Sequence, residues 1–327
     1  MFILQGFLLQ GYIVSSPDYE GPEAAFIPGR LEGPVTLDSM RAVSQYKDTL
    51  GFSTKTPKIV GYGYSGGSVA TSWAASLHNA YAPELPVLGW ATGGTVANIT
   101  GTLLHLDGTT FAGFLPAAVD GLLKPSAYGA QLEPVVDRII TPYGRSILDF
   151  ADEFCGAEVL LVFPGGSILS TGFQSEGRGL LYDPVVRPIL QQCTLGVNRN
   201  ETPTAPIYMF HASQDEVIPY DDAITLRNSW CNDGASVEFV TYANGGHLTT
   251  EALGFVGAYQ FVNNAFAGTV KPGCSSKTVL DNTLDPIALG AELEPVIAGL
   301  LTTLLKLGNM DSNAKNNLTI LKESVSS

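Results

Sequence analysis

Short apolar runs alternate along the chain with longer stretches in which apolar residues recur every three or four positions. Phe7, Leu8 and Leu9 read as the end of a helix and Gly11 as its stop. Tyr12-Ile13-Val14-Ser15-Ser16-Pro17-Asp18 then reads as a buried strand entering a loop. From Asp18 to Gly33 glycine and proline dominate and predict loop. Leu37, Met40, Val43 and Leu50, with basic and polar residues between them, fit one face of an amphipathic helix over 35–50. An apolar run from Lys58 to Tyr64 predicts a strand. A turn at Ser65 follows it, and Trp73, Ala74 and Leu77 continue at helical spacing. Pro86 to Thr92 is a further strand, closed by Gly93-Gly94. Strand and helix in alternation predict an α/β fold built on a mostly parallel sheet with right-handed crossovers.

Between about Ala97 and Cys193 that alternation stops. Residues 111–116, 117–123, 135–140 and 147–150 read as short helices joined by Gly and Pro turns, which predicts a helical insertion or lid. The sheet resumes with a strand over 206–215, followed by a helix over 221–230. The last strand, over 237–242, ends in Asn244-Gly245-Gly246-His247. The expected organisation is therefore core over 1–96, insertion over 97–193, core again over 194–274 and a C-terminal tail or flap over 275–327. Within that tail, Leu300 to Leu305 is either an apolar flap or a packed helix.

The 327 residues, 45% of them hydrophobic, suffice for one large α/β domain with an insertion. A net charge of −14 without a Lys/Arg cluster argues against nucleic acid or an anionic membrane surface as partner. No apolar run reaches 18 residues, so stable membrane insertion is not expected. The apolar first eleven residues lack a basic start and a small-x-small cleavage site, and so do not read as a signal peptide.

Candidate chemistry centres on Gly63-Tyr64-Ser65-Gly66-Gly67, a Gly-x-Ser-x-Gly sequence between a strand and a helix. In that setting it is a nucleophile elbow, where a serine at a strained turn needs neighbours without Cβ so that its Oγ projects into a cleft. A serine hydroxyl becomes a useful nucleophile when a neutral imidazole takes its proton and a carboxylate orients that imidazole. Four histidines compete for the base role. His78 reads as solvated, His105 lies in the insertion and His211 reads as a packed core residue. His247, on a glycine-rich loop after the last strand, remains. Asp215 ends the preceding strand, whereas its neighbours Asp221 and Asp222 read as helix-start residues. The order Ser65, Asp215, His247 is that of α/β-hydrolases. No metal-binding or dinucleotide motif is present, and no cofactor is expected.

Residues 15–21, Gly63 to Ser68 with Tyr81-Ala82-Pro83-Glu84-Leu85, and His211 to Tyr220 with His247-Leu248-Thr249 resemble the fungal secretory lipases of the lipase A type. The resemblance runs through most of the chain. It implies an α/β-hydrolase core with a helical lid after the strand that follows the elbow, and hydrolysis of triacylglycerols and other esters. It carries the triad onto Ser65, Asp215 and His247, with the Gly66 N–H as an oxyanion donor. The family's N-terminal portion, which holds the first strands and an Asp-bearing loop for the second donor, has no counterpart here. Missing N-terminal strands and either a truncated gene model or a degenerate member are thus expected. The resemblance favours a Cys231–Cys274 bridge; Cys155 is then left either free or paired with Cys193. Sequons at Asn98, Asn200 and Asn317 suit secretion together with a disulfide. The functional expectation is a secreted serine lipase or esterase with an ester or lipid substrate, working at a lipid–water interface. The alternative is a non-catalytic lipid-binding relic of the fold.

Overall fold

The computed structural model describes residues 2–52, 56–280, 286–307 and 312–325. Among them five strands form one sheet: β1 (Ile59–Tyr64), β2 (Val87–Gly93), β3 (Ile207–Ala212), β4 (Val237–Tyr242) and β5 (Ser275–Val279). Their spatial order is β1-β2-β3-β4-β5, and every neighbouring pair is parallel. The central strand β3 is buried at all six positions, as a strand covered on both faces must be. Its side chains alternate between two cores. Ile207 and Met209 join Trp73, Trp90 and Phe239 on one face, while Tyr208 and Phe210 join Val240, Phe255 and Phe261 on the other.

The first face is covered by α2 (Gly29–Gln45) and α3 (Gly66–Tyr81) and by the helices that follow β2. These are α4 (Ile99–Leu106), α5 (Phe114–Leu123), α6 (Gly129–Ile139), α7 (Pro142–Glu153), α8 (Gly156–Val162) and α9 (Val186–Gln192). Leu115, Leu132, Leu148 and Phe163 from this stretch belong to the same buried cluster as Trp73 and Met209. The second face carries α1 (Phe2–Leu9), α11 (His247–Ala267), α12 (Pro286–Leu307) and α13 (Ser312–Val325). Leu300, Leu301 and Leu304 are buried there with Phe7 and Tyr259, so residues 300–305 are part of a packed helix. Helix α10 (Tyr220–Asn232) links β3 to β4, with Asp221 and Asp222 in its first turn.

Several sequence expectations are corrected. Residues 12–18 form no strand. The Tyr12 hydroxyl donates to Asn263 at 2.5 Å and its ring packs on Phe266, so the segment leans on α11 while no sheet backbone pairs with it. Helix α2 begins at Gly29, inside the stretch expected to be loop. Its glycines serve close packing: a Cβ at Gly29 would lie 1.9 Å from Trp73 Cδ1, and one at Gly33 would lie 2.8 Å from the Trp73 backbone carbonyl carbon. The short helix expected over 147–150 is three turns long, and 111–123 holds one helix. The polar edge strand β5 is an addition. Cys231 and Cys274 are bridged, whereas Cys155 is exposed, Cys193 is buried and both are free.

Candidate active site

Ser65 joins β1 to α3 at φ 55°, a left-handed conformation that a residue with a Cβ adopts only under constraint. The constraint is close packing of strand against helix. A Cβ at Gly63 would stand 2.1 Å from the Gly67 carbonyl oxygen and 2.3 Å from Thr71 Oγ1, so only glycine lets the elbow fold this tightly. The Ser65 amide donates to the Gly93 carbonyl of β2 at 3.0 Å, and Ser68 Oγ donates to the Ser65 carbonyl. With its main chain held on both sides, Ser65 presents Oγ at the carboxyl end of the sheet. Gly66 is the first residue of α3 and lines a cavity beside Ser65, and the backbone N–H groups at a helix start favour negative charge.

The three residues selected from sequence meet here. His247 Nε2 lies 2.8 Å from Ser65 Oγ, and His247 Nδ1 lies 2.8 Å from Asp215 Oδ2. Assigning the ring proton to Nδ1, as the carboxylate requires, leaves Nε2 free to accept from the serine hydroxyl. The other oxygen, Asp215 Oδ1, accepts from the Val217 and Ile218 amides at 2.9 and 2.7 Å. Burial alone would raise the Asp215 pKa; His247 and His211 outweigh it and hold the carboxyl far below the usual carboxylate range. For His247, burial disfavours the imidazolium, but the charge and hydrogen bond of Asp215, helped by Glu216 and Glu251, raise its pKa above the ordinary histidine value.

His247 does not ride on a free loop, as its glycine-rich approach led one to expect. It is the first residue of α11, with Gly246 N–H bonded to Thr249 Oγ1 at 2.8 Å. Its own backbone is gripped at both polar groups. The His247 N–H donates to Glu216 Oε2 at 2.7 Å, and its carbonyl accepts from the Tyr64 hydroxyl at 2.6 Å. Glu216 and Tyr64 are thus site residues that sequence reasoning missed, although each adjoins a selected residue. Burial pushes the Glu216 carboxyl above its usual range. His211 is fully buried, as expected, but also faces the site. Its Nδ1 accepts from the Thr95 amide, and its Nε2 donates to the Ile218 carbonyl and lies 3.3 Å from Asp215 Oδ2. His105, on α4, reaches the Asp215 carbonyl at 3.1 Å. His78 is buried, not solvated, and is bonded to the Leu85 carbonyl.

An apolar cavity of about 250 Å³ opens on Ser65 and Gly66. Its walls include Phe26 and Ile27 before α2, Leu115 of α5, Val136 of α6 and Ile189 of α9. A larger groove of about 960 Å³ runs beside β1 and does not include the serine. Among the described residues, no group of three or more His, Cys, Asp or Glu is placed to hold a metal ion, and no helix is long and apolar enough to cross a membrane.

Known proteins resemble most of the chain. The chain is 40% identical over 303 residues to the secreted triacylglycerol lipase LIP1 of Malassezia furfur, covering 92% of this chain and 61% of that protein. It is 42% identical over 264 residues to the secreted triacylglycerol lipase LIP3 of Malassezia restricta, covering 79% of this chain and 55% of that one. It thus spans little more than half the length of these relatives. Candida antarctica lipase A, an α/β-hydrolase, superimposes with a TM-score of 0.81 at 32% identity, over 91% of this chain and 69% of the other. The fold is accordingly that of the α/β-hydrolases. The model of the Secretory lipase family matches residues 1–273, and the chain belongs to that family.

Proposed function

We propose that this chain carries the catalytic core of a secreted carboxylic ester hydrolase that acts on acylglycerols and related esters through an acyl-enzyme on Ser65. As Ser65 Oγ attacks the ester carbonyl, His247 Nε2 takes the hydroxyl proton, and Asp215 stabilises the resulting imidazolium. The Gly66 amide receives the oxyanion as it develops. Collapse breaks the bond to the alcohol, which leaves with the proton held by His247. Water, deprotonated by the same imidazole, then releases the acid and restores the serine.

The observation that carries this reading is a continuous 2.8 Å relay from Ser65 through His247 to Asp215, opening on an apolar cavity. A purely lipid-binding member would need the cavity but not a serine held at φ 55° against an imidazole. The cavity suits the acyl chain, with helices of residues 97–193 acting as a lid that shapes it and opens at a lipid–water interface. Secretion is supported by the relatives, which are named as secreted lipases, and by the Cys231–Cys274 bridge, which suits an oxidising compartment. The proposed reaction draws on no metal or cofactor.

The test is p-nitrophenyl butyrate hydrolysis together with labelling by a serine-reactive phosphonate. Wild type should turn over and label at Ser65. Ser65→Ala should lose more than about a hundredfold in turnover with its thermal midpoint retained, as removal of a triad member does. Residual activity above that level, or labelling elsewhere, would remove Ser65 from the role.

A further inference from the structure

Ile27 is β-branched, yet it stands at φ 88°, a backbone region that branched side chains avoid. Ala24, three residues earlier, is also left-handed at φ 51°. What holds Ile27 there is Glu32, whose Oε1 accepts the Ile27 N–H at 2.7 Å. Glu32 is 0% exposed and its second oxygen is buried without a hydrogen-bond partner. Burial accordingly pushes its carboxyl well above the ordinary range. An exposed capping glutamate would make the same bond at little cost. Here an entire carboxyl is withdrawn from water to serve one strained amide.

The position of that amide explains the arrangement. Phe26 and Ile27 line the cavity beside Ser65 and Gly66. A Cβ at Gly66 would meet the Phe26 ring at 3.1 Å, so the ring stands against the oxyanion-donor residue. From the other side α5 presses on the Phe26 backbone, and a Cβ at Gly121 would lie 2.1 Å from the Phe26 carbonyl oxygen. One dipeptide is the partition between elbow and lid helix. If its backbone relaxed to negative φ, both side chains would swing and the cavity would change shape beside the nucleophile.

We propose that Glu32 is a positioning residue for acyl-chain selection, locking the Phe26–Ile27 wall in its strained form so that the cavity admits a long chain. This rests on Ser65 being the nucleophile and on the cavity being the acyl site. Glu32→Gln keeps length and acceptor oxygen, whereas Glu32→Asp keeps the carboxyl but falls one methylene short of the Ile27 amide. The measurement is kcat/KM on p-nitrophenyl palmitate and butyrate, per phosphonate-titrated Ser65. In Glu32→Asp the palmitate-to-butyrate ratio should fall about tenfold or more, the scale of a misfitting pocket, with butyrate turnover within about threefold of wild type. Glu32→Gln should keep the ratio within about twofold. Glycine adopts φ 88° without strain, so in an Ile27→Gly background Glu32→Asp should move the ratio less than about twofold. Equal losses on both esters, or Glu32→Gln shifting the ratio as far as Glu32→Asp, would overturn the assignment. A wild type inactive on both esters would instead sink the hydrolase reading, and this inference with it.

Discussion

Glu216 lets the site's electrostatics be tested without touching the relay. Its carboxylate raises the His247 pKa, while one of its oxygens holds the His247 backbone N–H. The base must be neutral to act, so kcat/KM should rise with pH through the His247 pKa, on a limb lying above the ordinary histidine value of about 6.5. Glu216→Gln keeps an oxygen for that N–H and removes the charge. The imidazolium then loses support, and the acid limb should move to lower pH, which a pH profile on p-nitrophenyl butyrate reads directly. A limb that stays put or moves upward would show that Glu216 acts through geometry alone. The meeting of Ser65, Asp215 and His247 was legible in the sequence because each follows the carboxyl end of a strand, in the order the proposed chemistry demands. Glu216, Tyr64 and Glu32 were not, because their contacts are to backbone groups of distant or strained residues, and no spacing rule marks them.

At the scale of elements, the parallel sheet was readable because buried strands are short apolar runs bounded by glycine and proline. The errors share one cause, which is that the same residue types serve packing as well as turns. Gly29 and Gly33 looked like loop and instead admit Trp73 of α3 against α2. Residues 12–18 are apolar enough for a strand, but a strand also needs a partner backbone. β5, with Ser275, Ser276, Lys277 and Thr278 all exposed, carries almost no apolar signal. The helices after β2 share one core with the sheet, so excising residues 97–193 would remove buried cluster residues and unfold the remainder. A point change tests the lid better. Val136 of α6 lines the cavity. In Val136→Trp, kcat/KM on the palmitate ester should fall at least about tenfold and that on butyrate by no more than about threefold, since misfit of even one methylene in an apolar pocket is worth roughly 1–3 kcal/mol. Losses of equal size on the two esters would mean that α6 does not bound the acyl site.

At the scale of the molecule, the site depends on an edge strand that contributes little apolar burial of its own. β5 pairs only with β4 in the described sheet, and four of its five residues are exposed. Beyond the ladder it is held by a Lys277–Glu238 ion pair at 2.9 Å and by the disulfide, which ties Cys274, just before β5, to Cys231 in α10. Exposed ion pairs contribute roughly 0–1 kcal/mol. The bridge spans 43 residues, and closing a loop of that size in the unfolded chain is worth about 4 kcal/mol, near the top of the usual 2–4. β5 in turn supports the turn that delivers His247, because Ala243 N–H donates to the Val279 carbonyl at 2.9 Å and Asn244 Nδ2 to the Leu280 carbonyl at 2.6 Å. Replacing both cysteines, Cys231→Ser with Cys274→Ser, should therefore lower the thermal midpoint by roughly 3–6 °C. It should also let β5 open locally, ahead of the sheet. Amide hydrogen exchange should accelerate at β5 and at Ala243 while β3 stays protected at mild temperature. Ester turnover should decline over the same range in which Ala243 loses protection. Exchange at Ala243 unchanged from wild type would show that α11 alone holds His247 in place, and that the edge strand and its disulfide are dispensable to the site.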